Sequence, residues 1–355
     1  MQTTRALAEL GQSLWLDNIT RPLLDSGTLA RYIAELSVTG LTSNPTIYDN
    51  AIGGSDAYDA QIAAGAAAGK DGEAIFFDLA LADLTRAADL FRPVYDATSG
   101  IDGFVSLEVS PLIAYDTEKT ASEAVRLWAM GDRPNLLIKI PGTPEGLPAV
   151  EEAIFRGVPI NVTLLFSPAQ YLACAEAYTR GIERRVAAGL PAYVPSVASL
   201  FISRWDPYTS KMLPADLQLQ MGLAIGRQSY LDYVAFFSSP RWEALKAKGA
   251  HPQRLLFAST GSKDPAAPAT IYITGLAAPA TVNTMPEGTL LATGAVEVPV
   301  TALPATAAEA GDPLGALVAA GVDVDACALD LQTKGATSFV GSWTSLMDRI
   351  AAKAG

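Results

Sequence analysis

A single histidine, His251, stands in a chain of 355 residues, and that scarcity excludes whole classes of chemistry. Ser-His-Asp triads and Cys-His pairs need an imidazole beside the nucleophile, and histidine-rich metal sites need several. Cysteine is scarce too. Cys174 and Cys327 lie far apart, match no metal or redox spacing, and Cys174 sits on an alanine-rich helical face suited to a buried structural thiol. No metal site is expected. Positive charge is in deficit: 25 Lys and Arg against 37 Asp and Glu give a net charge of −12, which disfavours nucleic acid and membrane surfaces as partners. No apolar run approaches the roughly 20 residues of a membrane span, and no basic stretch leads into an apolar one near the N-terminus. The expectation is a soluble cytoplasmic protein whose acid–base work falls to carboxylates, hydroxyls, lysine or water.

What is present is apolar sequence in short, bounded pieces. Hydrophobic residues make up 50% of the chain and charged residues 17%, enough for a well-covered core. Buried strands are expected at 13–18, 38–45, 103–111, 135–141, 159–166, 192–201, 254–261 and 281–286. Helices are expected at 3–11, at about 26–36 behind an Asp25-Ser26 cap, and at 45–65, 72–97, 117–130, 145–155 and 167–188. The stretch 214–248 reads as two helices broken near Ser239-Pro240, and 264–280 as proline-rich with at most one short helix. Further helices are expected at 304–320 and 342–353, while 324–331 is ambiguous between strand and helix. Eight near-continuous apolar strands separated by helices are the pattern of a parallel sheet covered on both faces. The expected fold is an α/β single (β/α)8 TIM barrel over 1–355, with extra N-terminal, inter-strand and C-terminal helices. A doubly wound open sheet competes, but no glycine-rich nucleotide loop follows the first strand.

One strand carries a charge. In Asn135-Leu136-Leu137-Ile138-Lys139-Ile140-Pro141, alternation places Leu137, Lys139 and Pro141 on one face and Ile138 and Ile140 on the other. An unpaired buried ammonium is costly, and a neutral buried amine is a nucleophile able to form a Schiff base with a ketone. The competing reading is a gatekeeper on an edge strand, or a side chain snorkelling out of the core. The other strand ends decide between them. In a barrel the functional residues collect at the C-terminal strand ends, which here offer Asp17, Thr42 and Asn44, Glu108, Lys139, Asn161 and Thr163, Ser199, Ser259, and Asn283 with Thr284. No comparable set is expected at the opposite ends.

That set contains what ketone chemistry requires. Lys139 would be the nucleophile. Glu108 would move protons, directly or through a water held by Thr163, and Asp17 would take the hydroxyl proton beside the breaking bond. Asn44, Asn161 and Ser199 would hold sugar hydroxyls. As plain structure, Asp17 would cap a strand or helix and Glu108 would merely pair with Lys139. Arg204 and Lys263, after the sixth and seventh strands, would form an anion site or would simply be solvated surface cations.

The chain resembles transaldolase, of the longer bacterial type that also occurs fused to glucose-6-phosphate isomerase, over nearly its whole length. The resemblance rests on Trp15-Leu16-Asp17-Asn18, Gly40-Leu41-Thr42-Ser43-Asn44-Pro45, Ser106-Leu107-Glu108-Val109, Ile138-Lys139-Ile140-Pro141-Gly142-Thr143, Ile160-Asn161-Val162-Thr163-Leu164, Val197-Ala198-Ser199-Leu200-Phe201-Ile202-Ser203-Arg204 and Thr281-Val282-Asn283-Thr284-Met285. It implies a cofactor-free Schiff-base enzyme of the pentose phosphate pathway. Such an enzyme moves a dihydroxyacetone unit from sedoheptulose 7-phosphate or fructose 6-phosphate to glyceraldehyde 3-phosphate or erythrose 4-phosphate. By motif position it implies Lys139 as the Schiff-base lysine, Asp17 as general acid/base and Glu108 with Thr163 as a water-handling pair. Asn44, Asn161, Ser199 and Arg204 match substrate-contacting positions. One departure stands out. The shorter branch of the family carries a phosphate-binding arginine two residues beyond the serine matching Ser259; here that position is Gly261, which passes the role to Lys263. Sugar phosphates are the expected partners, and a homo-oligomer is left open. An aldolase releasing free dihydroxyacetone, and a silent sugar-phosphate-binding barrel, are the alternatives.

Overall fold

The structure, a computed structural model, describes residues 1–355. Eight strands form a closed parallel barrel in chain order: β1 (Ser13–Asp17), β2 (Val38–Thr42), β3 (Val105–Glu108), β4 (Leu136–Pro141), β5 (Ile160–Leu165), β6 (Ser196–Phe201), β7 (Arg254–Ala258) and β8 (Val282–Met285). All six residues of β4, β5 and β6 are buried, because the barrel interior covers one face and the helices the other. The (β/α)8 expectation holds. One hydrophobic core runs from Leu7 to Ile350.

Register sets the site. Glu108 of β3 lies opposite Lys139 of β4, which lies opposite Asn161 of β5, while Pro141 lies opposite Thr163. In a parallel ladder, residues in register point to the same face, so this row enters the barrel together. Alternation along β4 is as the sequence implies: Leu137 lines a cavity at the N-terminal end and Lys139 one at the C-terminal end. Closing so small a barrel also needs one bare backbone. A Cβ at Gly40 would lie 2.7 Å from the Trp15 ring and from the Phe104 carbonyl, so glycine lets the indole fill the interior.

Several helices differ from expectation. The region 45–65 is two helices, Pro45–Gly53 and Asp59–Ala67, parted at the Gly53-Gly54-Ser55 turn. Asp25 ends a short helix, Arg21–Asp25, which Thr20 caps at its start and Ser26 at its end, and the next helix, Thr28–Glu35, begins from Gly27 at φ 72° with the Thr28 N–H donating to Ser26 Oγ at 3.4 Å. The region 304–320 is only two short helices, Ala307–Ala310 and Gly315–Ala319, separated by Gly311 at φ 69°. β6 starts at Ser196 rather than 192. Short helices at Trp205–Thr209, Ile271–Thr274 and Glu287–Gly294 follow strands six, seven and eight.

The largest correction is C-terminal. Residues 324–331 and 342–353 belong to one helix, Val324–Ala354, of 31 residues. Asp323 caps it, accepting from the Ala326 backbone N–H at 3.0 Å. Its interior glycines and hydroxyl residues weaken the local signal. Packing restores it: Leu331, Ala336, Phe339, Trp343, Leu346 and Ile350 form a buried stripe at helical spacing. A Cβ at Gly335 would come within 3.0 Å of the Leu164 side chain, so the missing side chain is what lets the helix lie against β5. No helix is long and apolar enough to cross a membrane.

Candidate active site

A cavity of about 230 Å³ opens at the C-terminal ends of the strands. Into it project Asp17 of β1, Thr42 of β2, Lys139 of β4, Thr163 of β5, Ser199 of β6 and Thr284 of β8, with Asn44, Arg204, Ser259 and Lys263 from the loops above. Sequence reasoning missed Phe201, Pro286 and Phe339, which give it apolar walls. The signal for Phe339 was its place in the apolar stripe of the C-terminal helix.

Lys139 and Glu108 are each only 4% exposed, so two opposite charges are buried together. Lys139 Nζ lies 3.0 Å from Glu108 Oε2 and donates to the Ser43 carbonyl at 3.1 Å. The ammonium is therefore paired, not orphaned. The contact with Glu108 is off the line of a directed hydrogen bond, and both carboxylate oxygens otherwise lack partners, as does the fully buried Thr163 hydroxyl. Burial pushes the Glu108 carboxyl above the usual carboxylate range, the Lys139 charge pulls it back, and the Asp17 charge adds to the rise. Glu108 does not line the cavity; it stands behind Lys139.

Asp17 is held by its neighbours. The Thr42 hydroxyl donates to Asp17 Oδ1 at 2.7 Å and lies 2.8 Å from the Thr284 hydroxyl. Asn44 uses its Oδ1 to cap Pro45–Gly53, accepting from the Ile47 N–H at 3.0 Å, which leaves its NH2 for the cavity. Asn161 is placed differently from expectation. Fully buried and outside the cavity lining, it accepts from Ser199 Oγ at 2.7 Å and donates to Ser106 Oγ at 3.1 Å. Ser199 stands between it and the cavity. Asn283 also misses the cavity, accepting from Thr260 at 2.9 Å.

The two cations at the mouth differ in their surroundings. Half-buried Arg204 makes no ion pair or hydrogen bond and sits over the Phe201 ring at 5.4 Å, and burial lowers its pKa. Such a guanidinium is open to an anion. Lys263 is exposed at the rim. Ser259 has φ 54°, and its hydroxyl is 3.1 Å from that of Ser203. Gly261 could not carry an arginine without displacement, since its Cβ would already lie 3.0 Å from Pro286 Cγ. No three His, Cys, Asp or Glu side chains are grouped to hold a metal ion.

The opposite barrel end is more polar than expected, and its cavity is larger, about 320 Å³. Arg254 donates there to Ser13 Oγ at 2.6 Å and to the Thr281 carbonyl at 2.8 Å, while Asp102 accepts from Ser13, Trp15 and the Gly103 N–H. That cluster satisfies itself. The smaller cavity is lined by the Lys139 ammonium with Glu108 behind it, by the Asp17 carboxylate and by the unpaired Arg204 guanidinium.

A family model described as Transaldolase/Fructose-6-phosphate aldolase matches residues 14–350. The chain is 45% identical to the transaldolase of Thermobifida fusca, covering 97% of this chain and 96% of that protein. It is 43% identical to the transaldolase of Frankia alni, covering 98% and 96%, and 42% identical to that of Thiobacillus denitrificans, covering 99% and 100%. With a closed barrel and a paired lysine at its C-terminal mouth, this chain belongs to the transaldolase/fructose-6-phosphate aldolase family.

Proposed function

We propose that the protein is a transaldolase of the pentose phosphate pathway, carrying dihydroxyacetone between sugar phosphates as a Schiff base on Lys139. The observation that supports this best is the buried Lys139, 3.0 Å from Glu108 behind it, in a cavity that Asp17 also lines. The Lys139 ammonium first gives a proton to the Glu108 carboxylate beside it, and the neutral Nζ then adds to the ketone carbon of the donor. The ketone oxygen leaves as water, taking one proton from the amine and one from Glu108, directly or through a water at the Thr163 hydroxyl. Burial favours a protonated Glu108, which suits a donor. The imine nitrogen keeps one hydrogen and a positive charge.

Asp17 then removes the proton from the hydroxyl on the far carbon of the bond that breaks, so that this carbon becomes the aldehyde of the leaving aldose phosphate. That carbon–carbon bond opens, its electron pair moves into the imine to form an enamine, and the aldose phosphate leaves. The enamine attacks the carbonyl carbon of an incoming aldose phosphate, Asp17 returns the proton, and water releases the new ketose. The electron sink is built from Lys139 and substrate, so no cofactor is required. Asn44, Thr42 and Ser199, with Asn161 beneath it, would hold hydroxyls, and Arg204, Ser259 and Lys263 the phosphate. Phosphorylated sugars do not cross membranes unaided, and a cytoplasmic location is part of this proposal.

The test supplies fructose 6-phosphate with and without erythrose 4-phosphate. The proposal expects sedoheptulose 7-phosphate when acceptor is present and little free dihydroxyacetone when it is not; acceptor-independent release at full rate would favour the aldolase of the same family. The anion end is tested separately. Arg204→Ala should raise KM for fructose 6-phosphate about 30-fold, the scale of a hydrogen bond to a charged group. The more exposed Lys263→Ala should raise it only about threefold. In both, kcat should change little and KM for fructose should not move; a KM for fructose 6-phosphate equal to wild type would remove that residue from the phosphate site.

A further inference from the structure

The C-terminal helix is fixed to the barrel mouth by polar bonds as well as by its apolar stripe. Gln332 Nε2 donates to the Gly142 carbonyl at 3.0 Å and to the Leu164 carbonyl at 2.8 Å, tying the helix to the tips of β4 and β5. Leu164 has φ 60°, where a strand irregularity frees its carbonyl from the ladder. Farther along, Ser342 bonds Thr46 at 2.7 Å, and Arg349 bonds Asp49 at 2.6 Å. Between these ties sits Phe339, 3% exposed, its ring centroid 5.8 Å from Lys139 Nζ and within the cavity lining. An aromatic ring held this firmly beside a reacting nitrogen is more than filler.

We propose that Phe339 forms an aromatic wall that stabilises the cationic imine on Lys139, and so helps set the rate of the transfer reaction; the inference rests on the Schiff-base reading above. The argument is one of differential stabilisation. The free ammonium has three N–H donors, enough for Ser43, Glu108 and the cavity. Before attack the ammonium passes one proton to the Glu108 carboxylate, on imine formation a second leaves on the departing water, and a single N–H remains with the positive charge. A cation that can make only one hydrogen bond loses much of its directed stabilisation. The face of a benzene ring needs no N–H; it attracts the charge itself, and more strongly once substrate has displaced water. Phe339 therefore gains weight at the step where Ser43 or Glu108 must lose a donor.

The decisive experiment replaces Phe339 with 4-fluoro-, 3,5-difluoro- and 3,4,5-trifluorophenylalanine, which withdraw electron density from the ring face while nearly preserving its shape. Each protein, with wild type and Phe339→Leu, is incubated with saturating fructose 6-phosphate without acceptor and reduced with borohydride. The ratio of Lys139-modified to unmodified enzyme is then read by mass. The ratio should fall stepwise with fluorination, by roughly tenfold across the series, with Phe339→Leu at the bottom and kcat following in parallel. A ratio that stays flat across the fluorinated proteins overturns the proposal, even if Phe339→Leu is impaired, because the ring would then act only by its bulk. Wild type that is not trapped at Lys139 would instead overturn the Schiff-base reading, and this inference with it.

Discussion

Lys139→Met should abolish transfer, lowering kcat by a factor on the order of 10^5, as loss of a covalent nucleophile does. It should also leave a protein whose stability defect grows with pH. In the wild type, burial raises the Glu108 carboxyl and the Lys139 charge opposes that rise. Without the lysine the opposition ends and the folded-state pKa climbs further above 4.5. A group raised in the folded state contributes stability that is fully present below its unfolded pKa and is lost as pH rises through the folded one. The defect of Lys139→Met relative to wild type should therefore be small near pH 4.5 and larger at pH 8, approaching about 3 kcal/mol, the scale for an orphaned buried charge. Adding Glu108→Gln should remove the pH-dependent part. Urea unfolding of the three proteins at both pH values reads this directly. An equal defect at both would mean that Glu108 is not the group left uncompensated.

Asp17→Asn should separate the two halves of the reaction. Imine formation needs Lys139 and the Glu108 side of the site, whereas bond cleavage needs a base at the opposite wall. Turnover should fall by about 10^3, the scale of a lost general base, while fructose 6-phosphate is still trapped on the enzyme by borohydride. The asparagine carbonyl can still accept the Thr42 hydroxyl that now reaches Asp17 Oδ1 at 2.7 Å, so the local geometry should survive. Thr42→Ala should cost less, since it removes only the group that orients the carboxylate. Loss of trapping in Asp17→Asn would move this carboxylate into the imine-forming step.

The strands were legible because burial on both faces makes them continuous apolar runs, and a charge inside such a run, as at Lys139, is conspicuous. Closure of the barrel then made strand ends converge, and Asp17, Thr42, Asn44, Thr163, Ser199, Arg204, Ser259 and Lys263 do share one cavity. Sequence order could not tell which polar residues face that cavity and which bond each other below it. Asn161 spends its amide on Ser199 and Ser106, a choice set by packing between three strands. The C-terminal helix was harder still. Its glycines and hydroxyl residues argue against a long helix locally, and contacts with Pro45–Gly53, Asp59–Ala67, Gly72–Ala97 and β5 explain it. Phe339 lies 200 positions from Lys139 in the chain, and nothing local to either residue announces their meeting.

The central claim is that Lys139, and no other lysine, carries the substrate. Borohydride reduction in the presence of fructose 6-phosphate, followed by proteolysis and mass mapping, tests it most directly. A stable dihydroxyacetone adduct should appear on the peptide containing Lys139 and be absent from Lys139→Met. An adduct on another lysine, or one that survives the substitution, would contradict the account.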